Sequence, residues 1–219
     1  MKKPRICVTL VENNLEALKE IEPLVDLIEL RLDLIGPEWT QLAKFIKKPW
    51  IACNRSPDEG GQGDANEVSR IEELIWAAES GACIVDVEYR TKNLGQVTAL
   101  IKGKAQTLIS FHDVIGTPSY DTLIGIAEGQ LKAGADICKI VTTAQRFEDN
   151  LAVLKLIRKF PETKMVAFAM AEAGRISRIL SPLAGGYFTY ACTETGKESA
   201  AGQVPIKELL EIYKYIRNI

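Results

Sequence analysis

Gly134-Ala135-Asp136-Ile137-Cys138-Lys139-Ile140-Val141-Thr142 begins as a helix exit and continues as a strand. Gly134 stops the helical period of Ser119–Ala133, in which Leu123, Ile126, Ala127 and Leu131 form one stripe and Ser119 is a candidate N-cap. The residues after it are mostly apolar, as in a strand covered on both faces. The same exit occurs 53 positions earlier as Gly81-Ala82-Cys83-Ile84, after the stripe Val68, Ile71, Leu74, Ile75 and Ala78 of Asn66–Ser80. Two units of about 27 residues fit between these copies, and dividing the 219 residues by eight gives the same period.

Outward from this unit, β-branched runs recur at Arg5–Leu10, Leu27–Asp33, Trp50–Arg55, Cys83–Tyr89, Gln106–His112, Asp136–Thr142, Lys164–Met170 and Tyr187–Cys192. Segments of helical period separate them, and the stripe Ile206, Leu209, Leu210, Tyr213 and Ile216 closes the series. Alternating strands and helices predict a parallel sheet, and eight strands predict a closed (β/α)₈ TIM barrel. A doubly wound open sheet is the alternative, but no strand leads into a glycine-rich dinucleotide turn. No linker divides the chain, so residues 1–219 are read as one α/β barrel domain. Two polar loops stand out, Ser56–Asp64 after strand three and Thr193–Gln203 after strand eight. Long loops in a compact domain are more often functional than accidental.

Composition narrows the function. Lys plus Arg total 27 and Asp plus Glu 29, a net charge of −2 that argues against nucleic acid or an anionic membrane surface as partner. No apolar run reaches the roughly 18 residues of a membrane span. Met1-Lys2-Lys3-Pro4 leads into a strand of about six apolar residues, too short for the core of a signal peptide. The five cysteines (Cys7, Cys53, Cys83, Cys138, Cys192) form no CxxC pair, and the chain has one histidine. Zinc coordination and a disulfide framework are therefore not expected. Buried free thiols in a reducing cytoplasm are.

Barrel enzymes place their chemistry at the C-terminal ends of the strands. Those ends carry Glu29, Arg31 and Asp33, then Arg55, Asp86 and Glu88, His112, Lys139 and Met170, with Arg175 and Arg178 on the following turn. Lys139 is costly in an apolar strand unless paired or deprotonated. Burial and nearby cations would leave a neutral amine, able to form an imine with a carbonyl. A structural lysine paired with a carboxylate is the alternative. His112 ends the neighbouring strand, and an imidazole of near-neutral pKa suits removal of a proton beside an imine. Glu29 and Arg31 share one face of their strand, as a structural ion pair or a polar substrate contact. Arg175 and Arg178 could each grip a carboxylate, although Arg175 also reads as a solvated helix residue. Gly185-Gly186 precedes strand eight, on the wrong side for a barrel phosphate site.

Six stretches, in order, make the chain resemble the type I 3-dehydroquinate dehydratase family over essentially its whole length. They are Glu29-Leu30-Arg31-Leu32-Asp33, Arg55-Ser56-Pro57-Asp58-Glu59-Gly60-Gly61, Ser110-Phe111-His112-Asp113, Gly134 to Ile140, Gly174-Arg175-Ile176-Ser177-Arg178 and Ser199-Ala200-Ala201-Gly202-Gln203. The resemblance implies that Lys139 forms a Schiff base with the ketone of 3-dehydroquinate. It implies that His112 moves the protons, that Glu59 orients His112, and that Arg178 binds the substrate carboxylate. Glu29, Arg31, Arg55, Ser199 and Gln203 would hold ring hydroxyls and shape the pocket, with Thr9 and Met170 lining it. The product would be 3-dehydroshikimate, in the shikimate pathway, with no metal or organic cofactor, and the enzyme would be a homodimer. Three departures from the family pattern are Leu30 in place of an aromatic residue, Ala201 where many relatives have proline, and a short N-terminus. These predict a floppier closing loop and a less covered barrel bottom. The competing readings are a class I aldolase and a non-catalytic binder. The carboxylate-binding arginine and the Glu59–His112 pair fit dehydration better than aldol cleavage.

Overall fold

The computed structural model describes residues 3–217, and the reading of Met1-Lys2 as the lead into the first strand lies outside them. Parallel ladders join β1 (Ile6–Leu10), β2 (Leu27–Arg31), β3 (Trp50–Cys53), β4 (Ile84–Glu88), β5 (Gln106–His112), β6 (Ile137–Thr143) and β7 (Met165–Met170) in chain order. On its other edge β1 pairs with β8 (Thr189–Cys192). The helices are α1 (Leu15–Ile21), α2 (Leu32–Ile35), α3 (Trp39–Ala43), α4 (Glu67–Glu79), α5 (Leu94–Ile101), α6 (Tyr120–Lys132), α7 (Asp149–Lys159), α8 (Arg175–Leu180) and α9 (Ile206–Arg217). Asn66 caps α4 and Ser119 caps α6, each accepting a backbone N–H from the first turn. The sheet curls into a barrel-like α/β fold with helices packed outside.

Several strand ends shift by one or two residues from those expected, and three changes bear on the site. Leu32 and Asp33 belong to a helical turn, because β2 pairs with β3 only as far as Arg31↔Cys53. Asn54 and Arg55 leave β3 for the same reason and begin the loop. The third change is a ninth strand, β9 (Val204–Pro205), lying parallel to β8. Among the described residues no ladder joins β7 to β8. That seam carries a Tyr187 N–H···O=C Met165 bond of 2.7 Å at the bottom and an Ala171 N–H···O=C Ala201 bond of 3.2 Å at the top. Residues 201–205 thus fill the joint that a ladder would otherwise close.

Period-two alternation stacks the barrel interior in layers. The floor is apolar, with Cys7, Leu27, Ile51, Ile84, Leu108, Ile137, Val166 and Phe188 all buried. Burying each large aliphatic side chain contributes about 1.5–3 kcal/mol, so the floor is a stable platform. One step up each strand come Thr9, Glu29, Cys53, Asp86, Ser110, Lys139, Phe168 and Tyr190, also buried. The same alternation that builds the floor therefore aims charged groups at one point above it. Below the floor, basic side chains gather around Tyr187. Arg5 and Lys164 stand 4.4 and 5.4 Å from the Tyr187 ring, and Lys164 donates to Gln106. Leu30 points outward into the shell between sheet and helices, away from this interior. Cys83 is the exception to buried thiols: β4 starts one residue later, which leaves Cys83 exposed on the turn after Gly81.

Candidate active site

The pocket above the charged layer is lined by Glu29, Arg31, Arg55, Glu59, His112, Lys139, Met170, Arg178, Ser199 and Gln203. Cys53, Gly60, Val114, Val141, Phe168, Tyr190 and Ala200 complete its wall. Ten of the eleven site residues expected from sequence therefore meet in one cavity. Thr9 does not line it. Its hydroxyl donates to Glu29 Oε1 at 3.1 Å from the neighbouring strand, so it holds the glutamate rather than facing a ligand. Arg175 is exposed, as expected of a solvated helix residue.

Lys139 is buried, with Nζ 2.9 Å from Asp86 Oδ2, 3.8 Å from Glu29 Oε2 and 4.5 Å from the Tyr190 ring centroid. Burial disfavours its charge, but Asp86 and Glu29 outweigh burial and hold its pKa above the ordinary lysine value. The expectation of a resting neutral amine is therefore corrected: carboxylates face this lysine more closely than cations do. Asp86 was visible in the sequence only as one more charge on its strand. It also accepts from Ser110 at 2.5 Å and pairs with Arg55 at 2.8 Å. Burial opposes its charge, yet Arg55 and Lys139 bring its pKa down to about 2.

The Ser56–Asp64 loop brings Glu59 over the pocket. Ser56 N–H donates to Glu88 at 2.8 Å, Pro57–Glu59 forms a 3₁₀ turn, and Gly60 ends that turn at φ +83°. Gly61 packs so closely on the Arg55 carbonyl that a β-carbon there would clash with it. Glu59 Oε2 then lies 2.8 Å from His112 Nδ1 and 3.2 Å from Arg55 Nη1. Burial raises Glu59 to about 7, against the pull of Arg55. Burial, then Arg55, Lys139, Arg31 and Arg178, push His112 well below the usual imidazole range. These surroundings favour the neutral form of His112, where a near-neutral titrating group was expected. A neutral imidazole donating Nδ1–H to Glu59 leaves the Nε2 lone pair available.

Arg178 is 2% exposed. Its guanidinium carbon stands 4.4 Å from the Phe168 ring centroid, and Nη2 lies 3.4 Å from the Ala201 carbonyl. Its Nε has no hydrogen-bond partner within the protein. Burial without an adjacent carboxylate lowers its pKa to about 9. An uncompensated guanidinium of this kind is a site for an anionic group. The closing loop lies against it. Gln203 Oε1 accepts Ser199 N–H at 2.8 Å, and the Ala201 carbonyl accepts from both Ala171 and Arg178. Gly202, at φ +82°, approaches the Ala171 carbonyl more closely than any side chain would allow. The carbonyl of Ala201 is thus held twice, which limits the looseness expected from the missing proline. Arg31 is gripped by Asp33 at 2.6 and 2.8 Å, which fixes its fork at the pocket rim.

Among the described residues, one cluster has metal-ligand character. Donor atoms of Glu29, Cys53 and Asp86 lie within 4.8 Å of one another. Lys139 and Arg55 already meet the charge of these carboxylates, so a cation would have to displace an ammonium or a guanidinium.

The family described as type I 3-dehydroquinase has a model that matches residues 6–219. A 3-dehydroquinate dehydratase of Dehalococcoides mccartyi strain BAV1 is 42% identical over 217 residues, covering 99% of this chain and 97% of the relative. One from Methanococcus maripaludis strain C6 is 36% identical over 219 residues, covering 96% and 99%. The crystal structure of 3-dehydroquinate dehydratase from Geobacillus kaustophilus superposes with a TM-score of 0.88 at 24% identity, covering 99% of this chain and 92% of that one.

Proposed function

Because this chain belongs to the type I 3-dehydroquinase family and is a hydro-lyase that converts 3-dehydroquinate to 3-dehydroshikimate through a lysine Schiff base, we propose that Lys139, His112, Glu59 and Arg178 divide that reaction among them. Arg178 takes the substrate carboxylate, which supplies the counter-charge its buried guanidinium needs. Lys139 gives up a proton to His112, and the free amine adds to the ketone. His112 returns that proton to the adduct's hydroxyl, which leaves as water, giving the protonated imine and a free imidazole. His112 Nε2 then removes a proton from the carbon beside it, and the electron pair moves onto the imine nitrogen. The ring hydroxyl leaves with a proton returned by His112. Water hydrolyses the imine and restores Lys139, so one water is lost overall.

Glu59 steadies the imidazolium as it forms. Asp86 and Glu29 stabilise the positive charge that Lys139 carries as ammonium and again as protonated imine. Glu29 Oε2 has no hydrogen-bond partner within the protein and suits a ring hydroxyl. Arg31, Arg55, Ser199, Gln203 and Met170 shape the rest of the pocket, with Thr9 acting through Glu29. The observation that carries this reading is a buried lysine and a half-buried histidine on adjacent strands, the histidine 2.8 Å from Glu59, beside a buried arginine whose Nε has no partner within the protein.

These groups come from one sheet, the loops after its strands and helix α8 packed on it, which supports residues 1–219 as one catalytic domain. We take the enzyme to be a cytoplasmic homodimer without a metal or organic cofactor; free cysteines suit a reducing compartment, and sedimentation tests the dimer. Borohydride with 3-dehydroquinate should inactivate the enzyme and add ligand mass to the peptide holding Lys139. An adduct elsewhere, or none, overturns the assignment.

A further inference from the structure

Glu59 offers two oxygens, and His112 and Arg55 both engage Oε2. A carboxylate pinned at one oxygen can still turn about its terminal torsion, which is soft. Arg90, on the turn after β4, holds the other oxygen: its Nη1 lies 3.2 Å from Glu59 Oε1. The same nitrogen is 3.2 Å from the His112 carbonyl, and the guanidinium carbon stands 4.5 Å from the Phe111 ring centroid. One side chain therefore ties the loop that carries Glu59 to the strand that carries His112. We infer that Arg90 is a positioning residue of the reaction, fixing the Glu59–His112 pair in register and keeping the pair from taking up an extra proton. The inference rests on the assignment of that pair proposed above.

Charge gives the direction. Glu59 is faced by Arg55 from its own loop, by Arg90, Glu88 and Asp86 from β4 and its turn, and by His112 from β5. Arg90 is one of two cations among them, and it opposes the burial that raises Glu59. The side chain of Arg90 is 54% exposed, so its replacement opens no cavity in the core. Removing a cation makes both Glu59 and His112 easier to protonate. The sign is the same whichever of the two holds the proton.

The test compares wild type, Arg90→Met, Arg90→Lys and His112→Ala for the pH dependence of kcat and for borohydride trapping with 3-dehydroquinate. Arg90→Met should raise the midpoint of the acid limb by about 0.5 pH unit while the adduct on Lys139 still forms, and Arg90→Lys should recover most of that shift. An unmoved midpoint in Arg90→Met overturns the inference. It does so whether KM rises, which makes Arg90 a substrate contact, or only Tm falls, which makes it structural. His112→Ala should still give the Lys139 adduct, but more slowly, because the lysine proton must then leave to solvent, and it should turn over very slowly. Wild-type turnover in His112→Ala would remove the assigned pair, and the inference with it; slow turnover there with an unmoved Arg90→Met midpoint removes the inference alone.

Discussion

Replacing Arg178 by methionine should leave the fold as stable or more stable while removing most of the activity. Methionine keeps the apolar reach that stacks over Phe168 and deletes the charge. Burial lowers the arginine well below its ordinary value, to about 9. At about 1.4 kcal/mol per pH unit, that places roughly 5 kcal/mol of unrelieved charge burial on the site. The sign follows from linkage: a cation whose pKa falls on folding costs stability at every pH below its folded value, and the cost is relieved only above about 9. The gain in the variant should therefore be equal at pH 6 and pH 8. Against it stands one long hydrogen bond to Ala201 at 3.4 Å, worth about 1 kcal/mol. The net change should raise Tm by several degrees, since about 1 kcal/mol corresponds to roughly 2–4 °C at this chain length. Substrate binding loses two charge-assisted hydrogen bonds of about 1.5–3 kcal/mol each, so kcat/KM should fall about 10²–10⁴-fold. Thermal melts with and without 3-dehydroshikimate, and the ultraviolet absorbance of the conjugated product, give both numbers. A melt lowered by more than about 5 °C, together with kcat/KM within tenfold of wild type, would refute the argument.

Asp86→Asn removes the counter-charge of Lys139 at 2.9 Å and of Arg55 at 2.8 Å, so urea unfolding at pH 7 should show a loss of about 3–5 kcal/mol. Asp86 titrates at about 2 when folded, so the difference should hold above the ordinary carboxylate range and shrink as the pH falls below about 4. Glu59→Gln should raise stability at pH 8 by about 1–3 kcal/mol and lower kcat at least 10²-fold. A carboxylate raised to about 7 is penalised above that pH and relieved as pH falls towards its ordinary value, so the gain should fade by pH 5; an equal gain at both pH values contradicts the cause given. Gly202→Ala places a β-carbon against the Ala171 carbonyl at φ +82°, and should raise KM about tenfold with a stability loss of about 1 kcal/mol or more; an unchanged KM would mean that the closing loop does not need this approach.

The recurrence of Gly-Ala before Ile84 and Ile137 was enough to set the strand period, because each helix must stop and turn back onto the sheet at the same length. Lys139 and His112 were conspicuous as polar groups in apolar strands. Their protonation was not legible, because its sign depends on which charges lie across the barrel. Lys139 meets Asp86 of β4, two strands away, and no local pattern announces that pairing. Arg90 carries no signal at all, since a turn residue has no periodicity to violate. β9, two residues long, is too short to alternate. Thr9 was read as pocket lining because it lies on an inward position; its hydroxyl is instead taken up by Glu29, its register partner on β2.

The joint between β7 and β8 also bears on how the chain is made. Every other neighbouring pair of strands can zip as soon as both have emerged from the ribosome. This joint waits for residues 201–205, which follow all eight of the longer strands in order of synthesis. Until then a nascent chain presents an unsealed edge at β8, the kind of exposed strand that invites pairing with another chain. The segment that delivers Ser199 and Gln203 to the pocket is thus also the last piece of the wall. A polypeptide stalled before Ala201 would be both inactive and prone to aggregate, for a single structural reason.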